Sequence, residues 1–194
     1  MWKYFILSLV IFPSFTFALE ITPTSEQIEH AKMEGRKMAE GYGKNGEKGI
    51  KELTAFINRY EFGTGGICGA GNVTTKLKNI VLSSYLKAKE GRELGAEAVN
   101  EILNNENLEV EIGSCYRLPS LLGKDRLILK QNGKDIQPKK IEQTSKMALS
   151  GVHINSVKAE FDPKSLDPQE SCIVVLIPAI GEELEFEINL TAMP

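Results

Sequence analysis

The spacing of apolar residues divides the chain into a helical front and a longer strand-rich part. Apolar side chains recur every three or four positions from Ile28 to Tyr42 and again from Ile50 to Tyr60. This spacing is typical of amphipathic helices, and the glycines between the two segments predict a break. Thr24 and Gln27 stand at the two ends of a capping box, so the first helix is expected to begin there. The pattern predicts a helical hairpin.

Alternation with a period of two begins after the glycine-rich stretch at 63–71. The residues from Val73 to Leu82 alternate and predict a strand, after which Ser83 or Ser84 is positioned to cap a helix that ends near residue 104. Apolar and acidic residues then alternate from Leu108 to Ile112, which predicts a half-buried strand. We therefore expect one helix, at about 84–104, inserted between strands.

Asn132-Gly133 is the strongest turn signal in the chain. This dipeptide favours the positive φ angles of a two-residue hairpin turn, and the strand-like segment 127–129 leads into it. The segment from Lys134 to Ile141 leads away and contains Pro138, which cannot donate a ladder hydrogen bond. We expect the returning strand to be short or to lie at a sheet edge.

Three further segments have strand patterns, at Val152–Phe161, Cys172–Ile177 and Leu184–Leu190. The segment Leu184–Leu190 alternates apolar residues with Glu185 and Glu187, so one of its faces is expected to be exposed to solvent. The sum is an α+β fold, mainly antiparallel β with about seven strands and sandwich-like. We expect the helical hairpin at 19–62 to pack on a β-rich domain at 63–194.

The N-terminus has the layout of a secretory signal peptide. Lys3 precedes an apolar stretch that ends near Phe12, and small residues at Thr16 and Ala18 suit a peptidase cut after residue 18. The apolar stretch is shorter than a membrane span, and no later stretch reaches spanning length. We expect residues 1–18 to be removed and the protein to be periplasmic or secreted.

Three cysteines follow the predicted leader, which suggests one disulfide and one free thiol in an oxidising compartment. Cys115 ends one strand-like segment, Cys172 begins another, and Cys68 lies in the glycine-rich loop. We expect Cys115 and Cys172 to form the bridge and Cys68 to remain a free thiol. The other two pairings, and three reduced thiols, stay open because spacing alone does not determine connectivity.

Charge and motifs exclude several classes of function. The net charge of −3 provides no field to attract nucleic acid. His30 and His153 are far apart and lie outside any metal-ligand motif, so we expect neither a metal nor another cofactor. The glycine-rich loop lacks the lysine of a phosphate-binding P-loop. Cys68 with His153 is the best available pair of nucleophile and base.

Four segments resemble a scattered family of exported bacterial proteins with no assigned activity. They carry a helix cap, a helix start, an Asn-Gly turn and Asp-Pro turns, and they span 21–35, 82–88, 129–138 and 161–168. The resemblance implies a β-rich fold and export. It implies no site residues.

Our leading hypothesis is a non-enzymatic module that binds a protein partner or takes part in assembly of the cell envelope. The first alternative is a carrier of a small ligand or lipid, with an apolar pocket lined by Phe56, Ile57, Tyr60 and Phe62. A second alternative is a thiol enzyme that uses Cys68. The sequence leaves the oligomeric state open.

Overall fold

The computed structural model describes residues 22–44, 46–63, 68–117, 123–147 and 151–190. The predicted leader, residues 1–18, lies outside these ranges. Within them the chain forms four α-helices and nine β-strands. The helices are α1 (Ser25–Lys44), α2 (Gly46–Asn58), α3 (Lys76–Lys89) and α4 (Ala96–Asn104). The strands are β1 (Glu61–Gly63), β2 (Ala70–Thr74), β3 (Leu108–Tyr116), β4 (Arg126–Gln131), β5 (Lys134–Ile136), β6 (Lys140–Met147), β7 (His153–Phe161), β8 (Ser171–Ile177) and β9 (Leu184–Asn189).

The predicted helical hairpin is confirmed as α1 and α2. The capping box forms as expected: the Thr24 amide donates to the Gln27 side chain at 2.7 Å, and the Gln27 amide donates to the Thr24 hydroxyl at 3.2 Å. These reciprocal bonds satisfy amide groups that have no partner within the first turn of a helix. None of the described helices has the length and apolarity needed to cross a bilayer.

The predicted strand from Val73 to Leu82 is wrong beyond Thr74. Thr75 caps a helix there, because its hydroxyl accepts from the Lys78 amide at 3.1 Å. The alternating residues of this segment also fit helical spacing, and α3 buries one stripe. That stripe contains Leu77, Ile80, Val81, Ser84 and Tyr85.

The single helix expected at about 84–104 is two helices. The first, α3, ends at Lys89, and the chain turns at Gly91, whose φ is +71°. Gly95 is the N-cap residue of α4. Glycine adopts positive φ without steric cost and is a poor helix former. The two glycines therefore explain why the helix is interrupted between α3 and α4.

The strands form two antiparallel sheets, which confirms the α+β, mainly antiparallel class. The order is β1-β2-β3-β7-β6 in the five-stranded sheet and β5-β4-β8-β9 in the four-stranded sheet. Nine strands are described where about seven were expected. The Asn-Gly turn is confirmed, with φ of 52° at Asn132 and 72° at Gly133. The strand after it, β5, is short and lies at an edge, as Pro138 predicted.

One continuous cluster of buried side chains joins helices and sheets. The five-stranded sheet contributes its inner face, represented by Val110, Ile112 and Val157. The four-stranded sheet contributes Leu129 and Val174 to the same cluster. Residues of α1 to α4 belong to it as well. The opposite side of the five-stranded sheet, which carries Glu109, Glu111 and Lys158, is its outer face.

Candidate functional site

The cysteines pair differently from the prediction. Cys68 is bonded to Cys115, with 5.5 Å between their Cα atoms, whereas Cys172 is a buried free thiol. The predicted Cys115–Cys172 bridge is therefore wrong, and so is a free thiol at Cys68. Side chains alternate across a strand, so Cys115 lies on the outer face with Glu111, while Cys172 points into the core on the side of Val174.

This pairing removes the thiol on which the thiol-enzyme alternative depends. Cys68 has no thiol to ionise while it is bonded to Cys115. Burial raises the pKa of the Cys172 thiol to about 11, so this group stays protonated and inert at neutral pH. The proposed base, His153, lies across from Tyr116 and so belongs to the inner face, opposite the disulfide.

The structure places the two histidines on different elements of the fold. His30 is exposed on α1, and His153 lies on β7. Over the described ranges, no three His, Cys, Asp or Glu side chains converge as metal ligands do.

The residues predicted to line an apolar pocket pack against one another and the core. The rings of Phe56 and Tyr60 meet edge to face, with centroids 5.3 Å apart, and both side chains are fully buried. Ile57 packs against the same core. The centroids of the Phe62 and Phe186 rings lie 5.5 Å apart, and Phe62 also borders a groove on the five-stranded sheet.

That groove has a volume of about 510 Å³ and crosses β1, β2, β3 and β7. Its lining mixes polar groups with small and apolar ones. A Cβ atom at Gly71 would lie 2.3 Å from Phe62 Cζ and 2.6 Å from the Glu111 carbonyl oxygen, so only glycine permits this close approach. The polar lining residues are Glu61, Asn72, Glu111 and Ser156.

A buried lysine lies beside the groove. Lys78 is 5% exposed, and its ammonium donates to the Val73 carbonyl at 2.9 Å and to Asn72 Oδ1 at 3.2 Å. The ammonium also lies 4.9 Å from the centroid of the Tyr60 ring. Burial lowers the pKa of Lys78, and the nearby carboxylate of Glu61 opposes that shift. These contacts tie the start of α3 to β2, which gives Lys78 a structural role.

A second polar cluster surrounds Asp125, just before β4. This carboxylate is 2% exposed and accepts hydrogen bonds from the hydroxyls of Ser114 and Tyr116. The amide of Asn155 donates to it at 2.8 Å, and the backbone N–H of Ala179 donates at 2.9 Å. The cluster therefore connects β3 and β7 of one sheet to the ends of β4 and β8 of the other.

The hydrogen bonds hold Asp125 in its charged form. Burial on its own raises the pKa of this carboxyl, but the donors Ser114, Tyr116, Asn155 and Ala179 together outweigh burial and lower the pKa. Desolvation by burial, together with the hydrogen bond to Asp125, raises the pKa of Tyr116. With four donors directed at it, the carboxylate acts as a clamp between the sheets.

The edge strand β6 differs from the other strands in its exposure. It pairs with β7 on one side and is last in the sheet order. Seven of its eight residues are exposed, and the remaining one, Gln143, is half-buried. Ile141 and Met147, both on the inner-face side, are 39% and 73% exposed. A long exposed edge carries backbone N–H and C=O groups that are able to pair with another strand.

Sequence reasoning missed Lys78, Asp125 and β6. The first lies in the segment predicted as a strand, and the second stands between Lys124 and Arg126 with no local sign of burial. The third has only two large apolar residues in eight, so its alternation is weak. A better signal was available for β6 in the Thr and Ile residues that follow Pro138.

Comparisons with protein families, with curated proteins and with solved structures find no match for this chain. The resemblance to exported bacterial proteins therefore stays a prediction.

Proposed function

We propose that the protein is an exported, non-enzymatic module that binds a protein partner by adding an extended segment of that partner to β6. The exposure of seven of the eight residues of β6 is the observation that carries the proposal. Main-chain hydrogen bonds give affinity in this kind of recognition, and the side chains that alternate along the edge give specificity.

The two sheets that support β6 are suited to binding a partner segment. We infer that the two sheets act as layers of a sandwich-like scaffold, because their side chains contribute to the same buried cluster. The Asp125 clamp connects the two sheets close to β6, since Gln143 donates to the Asp125 carbonyl oxygen at 2.8 Å. A rigid, preorganised edge loses less entropy when it binds a segment.

Export is supported by two independent features. The first eighteen residues have the layout of a cleavable leader, and the Cys68–Cys115 bridge is of a kind that persists in oxidising compartments. We therefore infer a location in the periplasm or outside the cell, and a partner in the cell envelope.

A photo-crosslinking residue placed at position 144 tests the binding role. Thr144 is exposed on β6, and His30 on α1 provides a control position that is also exposed. In cells that naturally make the protein, we expect irradiation to give a defined adduct from position 144 and none from position 30. Equal labelling at both positions, or none at either, would contradict binding at β6.

A further inference from the structure

We propose that the partner strand at β6 is β6 of a second copy of this chain. The inference rests on the proposed function, because it names the occupant of the same edge. It starts from the sequence of β6, whose side chains complement one another about Thr144.

If two copies pair so that the sheet continues from one to the other, only some registers are possible. Side chains directly opposite each other in an antiparallel pair lie on the same face. In β6 the even-numbered residues from Lys140 to Lys146 share the outer face with Ser156 and Lys158 of β7. The odd-numbered residues from Ile141 to Met147 share the inner face. Even residues must therefore face even residues across the two-fold axis.

One such register places complementary side chains opposite each other on both faces. With the axis through Thr144, Glu142 of each copy lies opposite Lys146 of the other on the outer face, so two opposite-charge pairs form. On the inner face Ile141 lies opposite Met147, again twice, and the two most exposed apolar side chains of β6 cover each other. Cross-strand pairs of both kinds stabilise a sheet.

The neighbouring registers are poorer. An axis through Gln143 places Lys140 opposite Lys146, a repulsive pair that occurs twice. An axis through Ser145 places Lys146 opposite Thr144 and removes both opposite-charge pairs. The alternation of charges on β6 therefore selects Thr144 as the centre.

Two charged side chains of this edge, Glu142 and Lys146, are exposed and can contact a partner. Within the described part of the chain, Lys146 forms no ion pair. Glu142 contacts Lys140 of its own strand, and both side chains are more than half exposed. In the paired edge Glu142 would lie between two lysines, one from each copy.

The pairing would produce a continuous ten-stranded sheet. A two-fold axis normal to the sheet keeps the faces on their own sides, so the outer faces of both copies point the same way. The two grooves bordered by Glu61 and Glu111 would then open on one side of the dimer.

Sedimentation equilibrium of the natural chain, purified as the cells produce it, tests the assembly. We expect a monomer–dimer equilibrium over an about hundredfold range of protein concentration. The single variants Glu142→Lys and Lys146→Glu each create two like-charge pairs, and each should weaken the dimer about tenfold or more. The double variant restores opposite charges and should recover dimerisation. Lys134→Glu on the exposed edge of β5 is the matched control and should leave the equilibrium unchanged.

Cross-linking tests the register independently. Thr144→Cys places two thiols beside the axis, so a short bis-maleimide should join the copies. Lys140→Cys is the control, since its two copies lie on the order of 25 Å apart in this register. The buried Cys172 thiol does not compete in the folded protein.

The outcomes separate this inference from the proposed function. A chain that stays monomeric, yet gives a photo-adduct of another protein at position 144, overturns self-pairing and leaves the binding role intact. A monomer with no adduct overturns both. A dimer that the double charge swap does not restore overturns the register and with it the proposed assembly.

Discussion

At the scale of single residues, Asp125 is the group whose role depends most on its surroundings. Four donors from three segments of the chain satisfy a carboxylate that is almost fully buried. A buried charge without a cation is tolerated only when hydrogen bonds replace its lost hydration. We interpret Asp125 as a polar link between the two sheets.

We expect Asp125→Asn to lower the free energy of unfolding by about 2–4 kcal/mol. One carboxylate oxygen would be replaced by an NH₂ group, which cannot accept a hydrogen bond. The donors that now bond to that oxygen, either the Ala179 N–H or the hydroxyls, would lose their acceptor. Urea unfolding at neutral pH measures the change. Asp135→Asn, at an exposed position on β5, is the control and should change stability by less than about 0.5 kcal/mol. Equal effects of the two substitutions would disprove the clamp.

The same residue predicts how stability depends on pH. The pKa of Asp125 is lower in the folded protein than in the unfolded chain, so its contribution is complete above the unfolded pKa. That contribution is lost as the pH falls below about 4 and through the folded pKa. We expect Asp125→Asn to flatten the acid limb of the stability profile, which urea unfolding at several pH values would measure. An unchanged acid limb would show that other carboxylates govern it.

At the scale of elements, local patterns predicted the parts of the fold that local interactions determine. The capping box at Thr24 and the Asn132-Gly133 turn involve neighbours in sequence, and both form as expected. The segment at 75–82 was mistaken for a strand because its apolar residues fit both periods. Its helical state follows from the Thr75 cap and from packing against α1, which a pattern does not contain.

The packing of α1 on α3 gives a prediction about Gly35. A Cβ atom at this position would lie 2.3 Å from the Val81 carbonyl oxygen and 2.8 Å from the Tyr85 amide nitrogen. We expect Gly35→Ala to lower the free energy of unfolding by about 1–3 kcal/mol, because the helices must separate. Alanine is the better helix former by about 1 kcal/mol, so this effect has the opposite sign to helix propensity.

Gly46→Ala provides the matched control for Gly35, because nothing lies within 4 Å of its added Cβ atom. Thermal unfolding of both variants makes the comparison. Stabilisation by both substitutions would mean that the helices do not approach closely at Gly35.

At the scale of the whole molecule, the disulfide connects the glycine-rich loop to the centre of the five-stranded sheet. The two cysteines are separated by 47 positions, so the bridge closes a long loop. In the chain-entropy description, closing a loop of this length lowers the entropy of the unfolded chain and so stabilises the folded state by about 4 kcal/mol. We expect the Cys68→Ser/Cys115→Ser double variant to lose about 2–4 kcal/mol of stability.

Urea unfolding measures that loss, and thiol counting checks the pairing. The denatured natural protein should show one reactive thiol before reduction and three after it. The Cys172→Ala variant should show none before reduction. A reactive thiol that persists in this variant before reduction would disprove the Cys68–Cys115 bridge.

The candidate site was less predictable than the fold. Of the residues predicted for an apolar pocket, Phe56 and Tyr60 turned out to form part of the core, because periodicity identifies an apolar face but not what covers it. The cysteine pairing was wrong for a related reason. Alternation along a strand shows which residues share a face, but not which face is covered. Only the arrangement of the two sheets shows that Cys115 lies on an outer face and Cys172 in the core.

Local sequence patterns were enough to predict the helix cap, the hairpin turn, the α+β class and the polar and apolar sides of each correctly recognised strand. These depend on backbone preferences and on a period that a few neighbouring residues display. Which cysteines meet, which carboxylate is buried and which strand is left at the edge became known only from the folded arrangement of the chain. Those outcomes depend on contacts between residues tens of positions apart, since strand order and layer packing set which side chains share a face and which remain in water.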